Sequence, residues 1–239
     1  MNFVLHVAQG TSMVRPFKKK QIPNLQEAIK ETAWSQIAET GAAALSLRAI
    51  ARELKITAPA IYNYFPRRDD LVTALIVDAY NSLGASQEGA LADLSADDHA
   101  ARLSALGLAY RNWALTYPQR YQLIFGTPIP NYHAPDDATL PAASRALNPL
   151  IGVLQAAYEA DALRAERLAK PTTKLKSMLT AWKKSAGDAD IEALYLALVV
   201  WSRVHGLVML EIGNHIPPFF DDPAEVFKRE INTILIQYL

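Results

Sequence analysis

The chain has no cysteine in 239 residues. That excludes a disulfide framework and any thiolate metal site, and it suits a reducing, cytoplasmic setting. Glycine is sparse at ten residues and proline modest at fourteen, which rules out collagen-like and low-complexity chains. Net charge is also lacking, with 24 basic and 24 acidic residues. No apolar run is long and clean enough for a bilayer. Ile191 to Ile212 comes closest, but Glu192, Ser202, Arg203, His205 and Glu211 interrupt it, so it reads as a helix buried in protein. The opening "MNFVLHVAQG" lacks a basic n-region and a clear apolar h-region, which argues against a signal peptide. Met13 offers an alternative start at "MVRPFKKK".

An apolar content of 51% is ample for a packed core at this length. The zero net charge hides an asymmetry. Residues 1–70 carry ten Lys/Arg against six Asp/Glu, a net +4, and the remainder carries fourteen against eighteen, a net −4. A basic head on an acidic body directs the head alone toward a polyanion.

Helical spacing recurs along the chain, and period-2 alternation does not, so the fold class is all-α. Leu25, Ala28, Ile29, Thr32, Ala33 and Ile37 mark one face of a first helix, which Gly41 ends. Ser46 caps a second helix with Leu47, Ile50, Ala51 and Leu54 inward. Thr57 caps a third, with Pro59 in its first turn. Asp69 or Asp70 starts a fourth, with a stripe of Leu71, Leu75, Ile76 and Tyr80. Longer helices follow near 98–117, 118–126, 139–164, 189–213 and 222–238, separated by the Pro-rich breaks "TPIPNYHAPDD" and "GNHIPPFFDDP". The stretch 165–187 reads as a long loop or a loosely attached helix. Asp97-Asp98, Asp136-Asp137 and Asp221-Asp222 precede helices and are explained by capping. No defensible Ser/His/Asp order, phosphate loop or HExxH appears, and the histidines are too scattered for a metal signature. No catalytic residue, metal or cofactor is expected.

Two short helices joined by a tight turn within residues 46–65 have helix-turn-helix dimensions. Ala51 is small where they cross, and Ile56 and Ile61 fill the space between them. The segment "GAAALSLRAIARELKITAPAIYNYFPRRDDLVTALI" resembles the DNA-binding domain of the tetracycline-repressor (TetR) family of transcriptional regulators. The resemblance covers about Pro23 to Leu83. It rests on the Gly41 stop, Leu-Ser-Leu-Arg-x-Ile-Ala, the Ala-Ile-Tyr-x-x-Phe core and a basic residue three beyond Phe65. Lys55 departs from the family's usual turn glycine, Tyr64 from its common histidine, and Arg68 from its usual lysine. A residue at Lys55 must therefore either adopt the right-handed region or strain the left-handed one. Further on, "YRNWALTYPQRYQLIFG" and "WSRVHGLVMLEIG" resemble the ligand-binding domain named for its Trp/His-Gly signature in a subset of these regulators.

The resemblance implies three parts: a basic N-terminal arm (1–22), a DNA-binding domain (23–83) and an effector-binding and dimerisation domain (84–239). It assigns DNA contacts to Arg48, Thr57, Ala58, Ala60, Tyr62, Asn63, Tyr64 and Arg68. The chemistry agrees. An Asn63 amide suits the adenine edge, Ala58 and Ala60 suit thymine methyls, and Tyr62 and Arg68 suit phosphate. "RPFKKK" (15–20) is a candidate arm along phosphate or in the minor groove, against the plain alternative of a solvated tail. Tyr110, Trp113, Tyr117, Tyr121, Phe125, Tyr158, Trp201, His205 and Met209 are candidates for an effector pocket, against the plain alternative of core packing. Trp201 and His205 share a helix face at i,i+4, and Gly206 permits close helix approach.

The expectation is a homodimeric repressor on a pseudo-palindromic, double-stranded operator. A small, mostly apolar effector would release it, and the last two long helices would form the dimer interface. The competing readings are an effector-independent DNA-binding protein with a solid body, and an all-α enzyme or carrier with an incidental helix-turn-helix.

Overall fold

The computed structural model describes residues 22–184 and 187–239. The candidate arm at 15–20 lies outside the described residues. Those described form ten α-helices and two short 3-10 turns, with no strand among them, in agreement with the all-α expectation.

The head is built from α1 (Leu25–Thr40), α2 (Leu47–Glu53) and α3 (Ala58–Tyr62), closed by the first turns of α4 (Arg68–Leu91). Gly41 ends α1 with φ 79°, and a 3-10 turn, Ala42–Ala44, leads to Ser46, whose Oγ accepts from Ala49 N. Ile29, Ile50, Ile61, Leu71 and Leu75 are fully buried in one cluster with Leu47, Ala51 and Phe65. The anticipated faces of α1 and α4 are the ones that pack.

The body comprises α5 (His99–Thr116), α6 (Pro118–Phe125), α7 (Asp136–Glu159), α8 (Thr173–Lys183), α9 (Ile191–Ile212) and α10 (Pro223–Tyr238). Asp98 and Asp222 cap α5 and α10 as anticipated. Asp136 and Asp137 instead lie inside the first turn of α7, where their charge favours the helix dipole, and Pro135 occupies the cap position. α7 thus starts three residues before its expected 139. It also ends at Glu159 rather than 164, because Asp161 takes φ 54° and Ala162 N turns back to Ala157 O at 2.9 Å. The segment 165–187 contains the helix α8, attached to α9 with only Leu179 buried.

α9 is long and apolar enough to cross a bilayer by length and composition. However, its face from Ala193 through Val200 and Val204 to Val208 forms the centre of the body core. α4 runs through the anticipated boundary at 83/84. Its residues up to Ile76 belong to the head core, Leu83 belongs to the body core, and Tyr80 packs against both.

Candidate nucleic-acid interface and internal cavity

α2 ends in a tight turn whose geometry is a Schellman motif. Ile56 N donates to Ala51 O at 2.9 Å, and Lys55 N donates to Arg52 O at 3.2 Å. This motif needs a left-handed residue one past the cap. Lys55 supplies it with φ 55°. The same pattern ends α9, where Asn214 has φ 55° and His215 N donates to Leu210 O at 2.8 Å.

The turn sets α3 against α2 with Ile61 and Phe65 inward. Thr57 holds the N-cap position of α3, but its side chain makes no capping hydrogen bond, contrary to expectation. Its hydroxyl is therefore uncommitted, and the residue is exposed. Ala58, Tyr62, Asn63 and Tyr64 are also exposed, Ala60 is half-buried, and Arg48 on the neighbouring helix is exposed. The structure thus gathers these residues on one end of the molecule. No carboxylate lies between Leu54 and Phe65.

Arg68 departs from this picture. Its guanidinium turns inward and donates to Ala42 O at 3.0 Å and Ala43 O at 3.3 Å, with Asp69 at 3.5 Å. It ties the start of α4 to the 3-10 turn rather than pointing to solvent. Those two carbonyls sit past the end of α1, where Ala42 O already accepts from Leu45 N at 3.3 Å, and guanidinium N–H groups fit the acceptor capacity that remains. Arg67 beside it is exposed, with its guanidinium paired to Asp70 at 2.6 Å.

Inside the body lies a cavity of about 160 Å³ bounded by α4, α5, α6, α7, α9 and α10. Of the nine residues anticipated for a pocket, Tyr110, Phe125 and Trp201 line it. The other six do not. Trp113 is buried against α4, with Nε1 donating to Ser82 Oγ at 3.0 Å. Tyr117 faces outward beneath Arg120, whose guanidinium carbon is 4.6 Å from its ring centroid. Tyr121 and His205 belong to a polar cluster alongside the wall. Tyr158 and Met209 pack on the core away from the cavity.

In that cluster, His205 Nδ1 lies 2.9 Å from Tyr110 Oη and 2.8 Å from Tyr121 Oη, and Trp201 Nε1 donates to Tyr110 Oη at 3.4 Å. Burial pushes the Tyr110 hydroxyl up to about 12, raises that of Tyr121 as well, and lowers His205. All three are neutral at pH 7. The cluster satisfies itself and binds α5, α6 and α9 together.

Sequence reasoning missed most of the wall: Tyr80, Leu83 and Gln87 of α4, Leu103, Leu106 and Gly107 of α5, Ala143, Ala146, Leu147 and Leu150 of α7, Val200 and Val204 of α9, and Ile231 and Ile234 of α10. Aliphatic residues beside a cavity carry the same pattern as those in solid core. Only Gln87 offered a signal, as a polar residue continuing the buried stripe of Leu75, Ala79 and Leu83.

The head and body meet at α6. Arg120 spans the junction, 5.4 Å from the ring centroid of Trp34 on α1. Tyr132 joins α4 through Thr73 at 2.9 Å. Among the described residues, no His, Asp or Glu group has the arrangement of a metal site.

Comparison with known proteins places both halves. Residues 29–75 match the family model of bacterial regulatory proteins of the tetR family. Residues 103–234 match that of the tetracyclin repressor-like C-terminal domain, a description that does not specify the Trp/His-Gly subtype. The HTH-type transcriptional regulator Rv1816 of Mycobacterium tuberculosis is 31% identical over 212 residues, covering 88% of this chain and 91% of the relative. The crystal structure of the proposed regulatory protein SCO4313 superposes with a TM-score of 0.73 at 37% identity, covering 88% of this chain and 95% of that one. A tetR-family regulatory protein from Rhodococcus RHA1 shares the fold, with a TM-score of 0.60 at 17% identity over 90% of this chain and 97% of that one.

Proposed function

The chain belongs to the TetR family of bacterial regulatory proteins, and we propose that it acts in the cytoplasm as a homodimeric repressor that a small effector releases from its operator. One observation carries this reading. α3 holds an exposed, acid-free surface from Thr57 to Tyr64 on a fully packed base of Ile61 and Phe65. A carboxylate there would meet phosphate, and a loosely held helix would not fix register.

Asn63 reads a base edge and Tyr62, Thr57 and Arg48 hold phosphate. Ala58 and Ala60 meet thymine methyls, and Tyr64 borders the backbone. Arg68 acts indirectly, by fixing the start of α4. The head binds DNA, the body binds effector, and α4 belongs to both, since Tyr80 and Leu83, on the head side of the expected 83/84 boundary, line the cavity; the basic arm at 15–20 adds phosphate contacts.

Dimerisation uses the outward faces of α9 and α10. Leu198, Leu210 and Ile236 are exposed there, and a groove runs past Arg203, Gly206, Leu207 and Val226. A Cβ on Gly206 would meet nothing within 4 Å in its own chain, so the close approach that glycine allows is left for a second copy. Two recognition helices would then address half-sites about 34–36 Å apart. The cavity favours the effector-responsive version over a solid body.

Fluorescence anisotropy with genomic fragments tests the reading. Asn63→Ala should weaken operator binding by about 5- to 100-fold and relax sequence preference, with the fold intact by circular dichroism. Salt-insensitive binding by the wild type, or an unchanged affinity in the variant, would sink it.

A further inference from the structure

Resting on the effector reading above, we propose that the cavity selects an uncharged, single-ring-sized molecule carrying one hydroxyl, whose O–H donates to Gln87 Oε1. The size follows from the volume of about 160 Å³. Apolar cavities of roughly 150 Å³ accept benzene. The neutrality follows from the wall, which contains no Lys, Arg, His, Asp or Glu. An ion entering it would lose its water with no countercharge to replace it.

The hydroxyl follows from Gln87. The residue is 4% exposed, and its Nε2 donates to Ala146 O at 2.6 Å. A carbonyl accepts and never donates, so this contact fixes which end of the amide faces α7. The other end, Oε1, accepts no hydrogen bond from any described residue, although Gln87 lines the cavity. Oε1 keeps some accessible surface, and the residue that carries it lies on the cavity wall. A buried amide oxygen without a donor is an acceptor waiting for one. Tyr110 Oη does not compete for this role, because Trp201, Tyr121 and His205 already occupy it. A ligand with a donor gains where a plain hydrocarbon leaves the oxygen unmet, and a site built this way discriminates strongly on one group.

The test is isothermal titration calorimetry of the full-length protein with phenol, toluene and benzoate, wild type against Gln87→Met. The wild type should bind phenol at least tenfold more tightly than toluene, with no benzoate binding. Gln87→Met should erase the preference for phenol while still binding toluene. Equal or tighter binding of toluene or benzoate would overturn the proposal. So would an unchanged phenol preference in the variant, or no binding of phenol by the wild type. If the variant does not fold, a crystal of the wild type with phenol decides. A phenolic oxygen within hydrogen-bonding distance of Gln87 Oε1 supports the proposal, and any other position overturns it. Operator binding by the ligand-free protein of the same preparation separates the two readings. Absence of operator binding there removes the repressor reading, whereas operator binding without phenol binding removes only this inference.

Discussion

Replacing Lys55 by glycine isolates one backbone conformation in the helix-turn-helix. The Schellman turn holds this residue at φ 55°, with its N–H bonded to Arg52 O and the next N–H bonded to Ala51 O. A side chain in that region costs about 1–2 kcal/mol relative to glycine. Glycine in turn makes the unfolded chain more flexible, which takes back about 0.4–1 kcal/mol. The balance is a gain of about 0.5–1 kcal/mol, or about 1–4 °C in Tm for a chain of this size. The residue is exposed and its side chain makes no hydrogen bond or ion pair among the described residues, so no packing loss offsets the gain. Thermal and urea denaturation by circular dichroism at 222 nm measure it. A variant less stable than the wild type would refute the strain argument. The lysine would then be retained for something other than the turn. Operator affinity on the same variant tests what that is. If Lys55 neutralises a phosphate, its loss should lower the slope of log K against log salt by about 0.9.

Two further perturbations probe the body. His205 has its pKa lowered below 6.5 by burial, so the unfolded chain takes up the proton first as pH falls. Its contribution is complete above pH 6.5 and is lost as pH drops toward the native pKa, by no more than about 1.4 kcal/mol per pH unit. His205→Gln should flatten the urea midpoint between pH 5 and 7, and parallel profiles would contradict the assignment. Arg111 forms a bidentate pair with Glu211, with side chains 13% and 15% exposed, and stacks 5.7 Å from the Phe227 ring. Arg111→Ala should cost about 2–4 kcal/mol by stranding the carboxylate, while Arg111→Met with Glu211→Leu should recover most of it. Equal losses in the single and double variants would disprove the stranding.

How much of this was legible in the sequence depended on the kind of signal. Helix class and the faces of α1 and α4 follow from apolar spacing, because burying one face is what stabilises a helix. The split of α3 into a packed and an exposed face was legible because local grammar sets it: Ser46 at a cap, Pro59 in a first turn, and Ile61 and Phe65 on one side. Arg68 was misplaced because composition gives a charge but not its direction, and two carbonyls beyond α1 claimed it. The start of α7 was misplaced because an Asp pair fits a cap and a first turn equally well. The cavity was the least legible feature. Aromatic residues drew attention, yet Trp113 and Tyr121 are solid core, while the void is walled mainly by aliphatic residues. A void arises where several helices fail to close on one another, and no single helix records that failure.

The same geometry limits how an effector must act. α4 places Gln87 at the cavity and Leu71 and Leu75 in the head core, so one continuous helix spans both. α6 does likewise, with Phe125 on the cavity wall and Arg120 over Trp34 of α1. A molecule of about seven heavy atoms has a binding ceiling near 10 kcal/mol. Moving a two-state equilibrium from 1:99 to 99:1 requires about 5.5 kcal/mol of difference between the states. In the proposed homodimer two molecules share that difference, about 2.7 kcal/mol each, which is roughly a quarter of the ceiling. A DNA-bound form with a partly closed cavity would supply it, and α4, which carries Gln87 and reaches the head core, is the element whose displacement would do both.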